Sequence, residues 1–201
     1  MRSRDALLTL TLVAFSGLAH AGVNASAIGR ASTFTASDLR TIWPQRMVEQ
    51  RWLLSASHKH TKLGLFVLRF DSKASGDGFC GAGSEDYLVL ARMGKRTARP
   101  LVAQRIQSCL ETQSLSIDDG DDLDALVRHL QPDPARCAVS FEPLTDEQKP
   151  RRVSVYIDAA RGRLVRDEPP KDAAQILCAA IEHPSETAIV VAPPATDAGP
   201  R

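Results

Sequence analysis

The run Gly78-Phe79-Cys80-Gly81-Ala82-Gly83-Ser84-Glu85 gathers three glycines, a thiol and a hydroxyl into eight residues. It could serve as a phosphate cradle, a nucleophile elbow, a metal corner or a turn pinned by a disulfide. A phosphate loop of the form G-x-x-x-x-G-K-[ST] needs a lysine to meet the anion. Gly78 and Gly83 have that spacing, but Ser84-Glu85-Asp86 follow, and two carboxylates repel phosphate. The pattern G-x-G-x-x-G fails after Gly83 as well. An elbow of the form G-x-S-x-G places its serine on a strand-to-helix turn, whereas Ser84 precedes two acids and a strand-like run. A nucleophilic Cys80 needs a free thiol beside a base, and three further cysteines favour an oxidised one. What survives is a turn beside a disulfide that presents Ser84 and Glu85 at the start of a strand.

Other runs carry weaker chemistry. His58 and His60 in "HKH" would share one face of a strand and offer two metal ligands. No third ligand stands out, and Lys59 and Lys62 fit a solvated loop better. In "DDGDDLD" (Asp118–Asp124) the glycine comes too early for an EF-hand, which leaves an acidic solvated turn or an irregular calcium loop. Its basic counterpart is Arg92, Lys95, Arg96 and Arg99. The two blocks either neutralise each other within the fold or mark oppositely charged ends of a recognition surface. Glu85 and Asp86, adjacent on a strand, face opposite sides, which disfavours a joint acid–base site. No Ser/His/Asp or Cys/His set stands out, so no catalytic residue, metal site or cofactor is assigned.

These residues must be positioned by elements whose pattern is mostly period two. Val48, Trp52, Leu54 and Ala56 share one parity, as in a half-buried strand. "LGLFVLRF" (Leu63–Phe70) is apolar on both parities and fits a central strand covered on both faces. "DYLVLARM" (Asp86–Met93) repeats that theme. Pro100–Glu111 carries both a helical stripe (Val102, Ile106, Cys109, Leu110) and a strand parity, and its Gln, Ser and Thr content favours strand. "DLRTIW" (Asp38–Trp43) reads as a short helix capped by Ser37 or Asp38 and ended by Pro44, and "ALVRHL" as another stopped by Pro132. "CAVSF" is a short strand. "RVSVYI" and "RLVRDE" form a hairpin through Asp158–Gly162, with Gly162 at the positive-φ position. "KDAAQILCAAIE" (Lys171–Glu182) is helical by composition.

The ends and the cysteines define the compartment. Arg2 and Arg4, an apolar run of about 13 residues and Ala19-His20-Ala21 have the order of a secretory signal. The run is shorter than the roughly 20 residues of a membrane-spanning helix. Removing residues 1–21 lowers the 25 Lys and Arg to 23 and the 24 Asp and Glu to 23, giving a formally neutral mature chain. Neutrality argues against a nucleic-acid partner, which calls for surplus cationic charge. Cys80, Cys109, Cys137 and Cys178 allow three pairings of two disulfides. The non-crossing choice is Cys80–Cys109 with Cys137–Cys178. The expected organisation is a signal peptide (1–21), a leader with a possible short helix (22–44), one mainly β domain stapled by disulfides (45–183) and a Pro-rich flexible tail (184–201). The fold class is a mainly β, antiparallel, sandwich-like domain with two disulfides and a C-terminal helix, with α+β as the alternative.

"GFCGAGSEDYLVL" followed by "QSCLETQSLSI" resembles a loosely defined group of exported proteobacterial proteins that pair a CGAG-[ST]-E loop with an SCL strand. The resemblance covers residues 62–118 and implies that Cys80 and Cys109 are partners. More distantly, the chain resembles periplasmic lysozyme inhibitors, small disulfide-bearing β proteins with a Ser- and Tyr-containing recognition loop. Ser84 and Tyr87 would be the corresponding types. The inhibitors' Ser-Gly pair is absent and this chain is longer.

The sequence thus points to a non-catalytic periplasmic or secreted protein-recognition module, an inhibitor or immunity protein against an envelope-targeting enzyme. Its expected surface is Ser84, Glu85, Tyr87, Arg92, Lys95, Arg96 and Arg99. No stable membrane insertion is expected. The alternatives are a small exported hydrolase or ligand-binding protein using the Gly78–Glu85 loop, and a structural envelope component.

Overall fold

A four-strand meander forms the centre of the molecule in the computed structural model, which describes residues 33–35, 38, 47–71, 84–108, 115, 122–143, 152–171, 173–181 and 189–193. Its strands are β2 (Met47–His58), β3 (Thr61–Asp71), β4 (Ser84–Met93) and β5 (Thr97–Ser108). The signal segment, Cys80, Cys109, Asp118–Asp121 and the last eight residues lie outside the described residues. So does "DLRTIW", apart from Asp38, which is helical.

β1 (Thr33–Thr35) pairs antiparallel with β5, and β10 (Leu177–Ala180) pairs antiparallel with β2. β11 (Val190–Val191) runs parallel beside the start of β5. A second, antiparallel sheet contains β6 (Gln131–Asp133), β7 (Ala138–Phe141), β8 (Val153–Asp158) and β9 (Arg163–Arg166), in that order. One helix, α1 (Leu123–His129), precedes it. Asp122 caps α1 by accepting from the Asp124 N–H, and Leu123, Ala125 and Leu126 form its buried face. The fold is therefore mainly β and antiparallel, and Pro100–Glu111 resolves as strand as far as Ser108.

β3 is covered on both faces, as its unbroken apolar run requires. Leu63, Leu65 and Val67 join Leu54, Leu88, Leu90 and Ile106 in a core shared with Val139, Val153, Val155 and Ile157 of the second sheet. Phe66, Leu68 and Phe70 point the other way, into a cluster with Phe34, Tyr87, Val89, Ala103 and Val191. The first sheet is rolled around this second cluster. β2 and β5 are three strand spacings apart, roughly 14 Å in a flat sheet, yet the chain at 189–191 touches both. β11 pairs with β5, while the Gln50 side chain of β2 donates to Ile189 O (2.8 Å) and accepts from Val191 N (3.1 Å).

Three expectations need correction. Residues 177–180 form a strand rather than a helix. Their outward-facing Leu and Ala supply no apolar stripe to bury, whereas β2 offers an open edge, and a disulfide from Cys178 to Cys137 holds the segment there. The expected leader and tail each contribute to the sheet through β1 and β11, because Phe34 and Val191 are both 1% exposed inside the roll. Finally, Trp52 and Leu54 do not share a face. The register shifts between them, so a β-bulge at Leu53 sends Leu54 to the shared core and Trp52 to the interior of the roll. The Trp52 indole N–H donates to Leu54 O (2.8 Å), which spans this bulge.

The hairpin between β8 and β9 turns through Gly162 at φ +61°. Asp158 begins that turn and is fully buried. Burial alone would raise its pKa, but hydrogen bonds from the Arg163 and Arg161 side chains and the Arg161 N–H outweigh it. They hold the carboxyl below the usual carboxylate range.

Candidate functional site

Four of the expected surface residues come together. Arg92 and Arg99 are cross-strand partners near the end of the β4–β5 hairpin, and Lys95 and Arg96 form its turn. All four are exposed. In an antiparallel meander the first and third turns lie at the same end, so the β2–β3 turn at Lys59-His60 is the neighbour of this one. The pairing Leu63↔Arg92 sets them side by side. Lys59 and Lys62 are exposed too, and Lys59 takes φ 53° in its tight turn. Segments 53–66 and 88–101, which build this end, contain these six Lys and Arg residues and no Asp or Glu. Ion pairs among the described residues use Arg51, Arg69, Arg105, Arg161, Arg163 and Arg166 instead. The result is a concentrated positive end on a chain whose formal net charge is only +1.

Ser84, Glu85 and Tyr87 lie at the opposite end of β4, and the surface role expected for the latter two is corrected. Glu85 is 1% and Tyr87 2% exposed. β4 is a central strand with both faces covered, so its polar residues must find partners inside. The Ser108 hydroxyl donates to Glu85 (3.0 Å), and the Arg105 guanidinium lies 3.9 Å from the same carboxylate. Arg105 also sits over the Phe34 ring, 5.0 Å from its centroid. Tyr87 is held edge-on between Phe34 and Phe70. Burial pushes its phenol up to about 12, and the nearby Arg105 only partly offsets this. On the other face Asp86 accepts two bonds from Arg69, at 2.8 and 3.0 Å. The half-buried Ser84 donates to the same Asp86 (3.4 Å). Glu85 and Asp86 do face opposite sides, each with its own arginine.

The remaining candidates separate. His58 ends β2 and His60 lies in the turn, so they do not share a strand face. Among the described residues no group of three or more His, Cys, Asp or Glu side chains is placed to hold a metal. Asp124 pairs with Arg51 (2.9 Å) rather than with the basic hairpin. Cys137 and Cys178 are joined, with Cα atoms 5.4 Å apart.

A cleft of about 510 Å³ adjoins the basic end. It is the seam of the roll, between β10 on one side and Met93, Gly94 and Ile189 on the other. Ser55 and Ser57 of β2, Trp52 and Lys62 also line it. Trp52 stacks on Phe66, with ring centroids 5.7 Å apart and planes 19° from parallel. Gly64 lets Met93 and Phe66 pack close over β3, since a Cβ there would come within 2.6 Å of both Met93 Sδ and the Phe66 ring. Leu177, on the rim, is 76% exposed.

The contribution of Lys59 and Lys62, and the cleft itself, were missed by sequence reasoning. A signal for the lysines existed, because four consecutive strands imply turns one and three at a common end. The cleft had none, since it depends on the bulge at Leu53 and on β10 being a strand. The chain matches no family model, and no curated protein or solved structure is significantly similar to it.

Proposed function

We propose that the protein is a non-catalytic, exported recognition module that docks an acidic partner protein on the basic end of its rolled sheet. On this reading it acts as an inhibitor or immunity protein against an envelope-targeting enzyme, on a sandwich-like two-sheet body. The carrying observation is the set Lys59, Lys62, Arg92, Lys95, Arg96 and Arg99, which converges on two adjacent turns and, among the described residues, forms no ion pair with a carboxylate. Like charges so placed repel one another, a cost that a complementary partner relieves, and they steer its approach. Inside the fold, Asp86 is paired with Arg69 and Glu85 with Ser108 and Arg105, so neither carboxylate is offered to a partner.

The test is deletion and complementation in the native host, challenged with cell-wall-degrading enzymes. Wild-type protein should restore tolerance. An equally abundant variant with Arg92, Lys95, Arg96 and Arg99 all changed to Glu should not. Unchanged sensitivity of the deletion strain would remove the inhibitor reading.

A further inference from the structure

The seam cleft is apolar inside and cationic at its lip. Trp52 is fixed at its floor by the Phe66 stack and the bond to Leu54 O, and Met93, Leu177 and Ile189 wall it. Lys62 lies in the same lining, and its chain can cover apolar wall while its ammonium stays in water. The volume of about 510 Å³ falls within the range of roughly 300–1,000 Å³ typical of small-molecule sites.

We infer that this cleft binds a free single-chain amphiphile with an anionic head, of the alkyl carboxylate type. The tail lies against Trp52 and Met93, and the carboxylate meets Lys62. Charge complementarity selects this occupant. Lys62 is the one charged side chain among the described residues that line the cleft, and no carboxylate is among them to attract a cationic head. The exposed Leu177 side chain gains cover when a tail occupies the seam. This site stands on the cleft and Lys62, independently of the protein partner proposed above.

The experiment uses the full oxidised protein carrying Trp43→Phe, which leaves Trp52 as its one tryptophan. Sodium dodecanoate, below its micelle concentration, should shift Trp52 emission saturably. Dodecyltrimethylammonium, of equal tail length and opposite charge, should bind roughly fivefold or more weakly, the scale of one exposed charge contact turned to repulsion. Lys62→Glu should reverse that order, Lys62→Arg should preserve it, and Ala179→Phe should block the seam. Circular dichroism checks each fold, and the Lys62 pair decides the matter if the bulkier variant misfolds. Equal affinity for both amphiphiles, no saturable shift, or indifference to Lys62→Glu would overturn the inference. So would binding to phosphatidylglycerol vesicles without binding to free dodecanoate. A dimer that shields Trp52 without any amphiphile would instead assign the seam to a second copy of the chain.

Discussion

Tyr87 shows how tightly the polar residues of β4 are bound into the fold. Its ring lies between Phe34 and Phe70, and burial pushes its phenol up to about 12 against the usual 10. In the unfolded chain that phenol ionises near 10, so the unfolded state sheds its proton first as pH rises. Stability from this group is therefore complete below about pH 10 and is lost progressively toward pH 12. Alkaline difference spectroscopy should show a tyrosinate step near pH 12 that Tyr87→Phe removes, and the variant should resist alkaline unfolding better than the parent. A step near 10 that Tyr87→Phe abolishes would contradict the burial argument. At this scale the sequence misled for a definite reason. Glu85 and Tyr87 read as exposed because acids and tyrosines usually keep a polar group in water. Their partner Arg105 is set opposite Tyr87 only by the register shift between Asp86 and Tyr87, which no alternation reveals.

β10 carries the corresponding lesson for elements. "LCAA" within "KDAAQILCAAIE" is rich in good helix formers, and the local preference is genuine. Pairing with the free edge of β2 and the Cys137–Cys178 bond override it. The strands that were legible, β3, β4, β5, β7 and the β8–β9 hairpin, are those in which alternation, apolar content and turn residues agree. α1 was legible from its apolar run and from Pro132, which stops it. A bond closing a 41-residue separation stabilises by about 3–4 kcal/mol in the chain-entropy model. Cys137→Ser/Cys178→Ser should therefore lower unfolding free energy by about that amount in urea titration. It should also release β10, giving faster amide exchange at Ala179, which pairs with Ser55. A loss below about 1 kcal/mol with exchange unchanged would show that strand pairing alone holds β10 in place.

For the molecule as a whole, the fold sorts charge that composition averages away. The chain is nearly neutral, yet its meander gathers six cations at one end, while Glu85 and Asp86 are neutralised inside the other. The two-block picture drawn from sequence was half visible. The basic block is a coherent exposed surface, whereas Asp124 of the acidic block is committed to Arg51 and Asp122 to capping α1. Partner docking at the basic end is the central claim, and site-specific photocrosslinking tests it most directly. A photoreactive residue is placed at Arg96, and separately at the exposed Arg166 of β9, in the exporting host. The account predicts a discrete protein adduct from position 96 that is absent from position 166 and lost when Arg92 and Arg99 are changed to Glu. No adduct from position 96, or equal adducts from both positions, would contradict it.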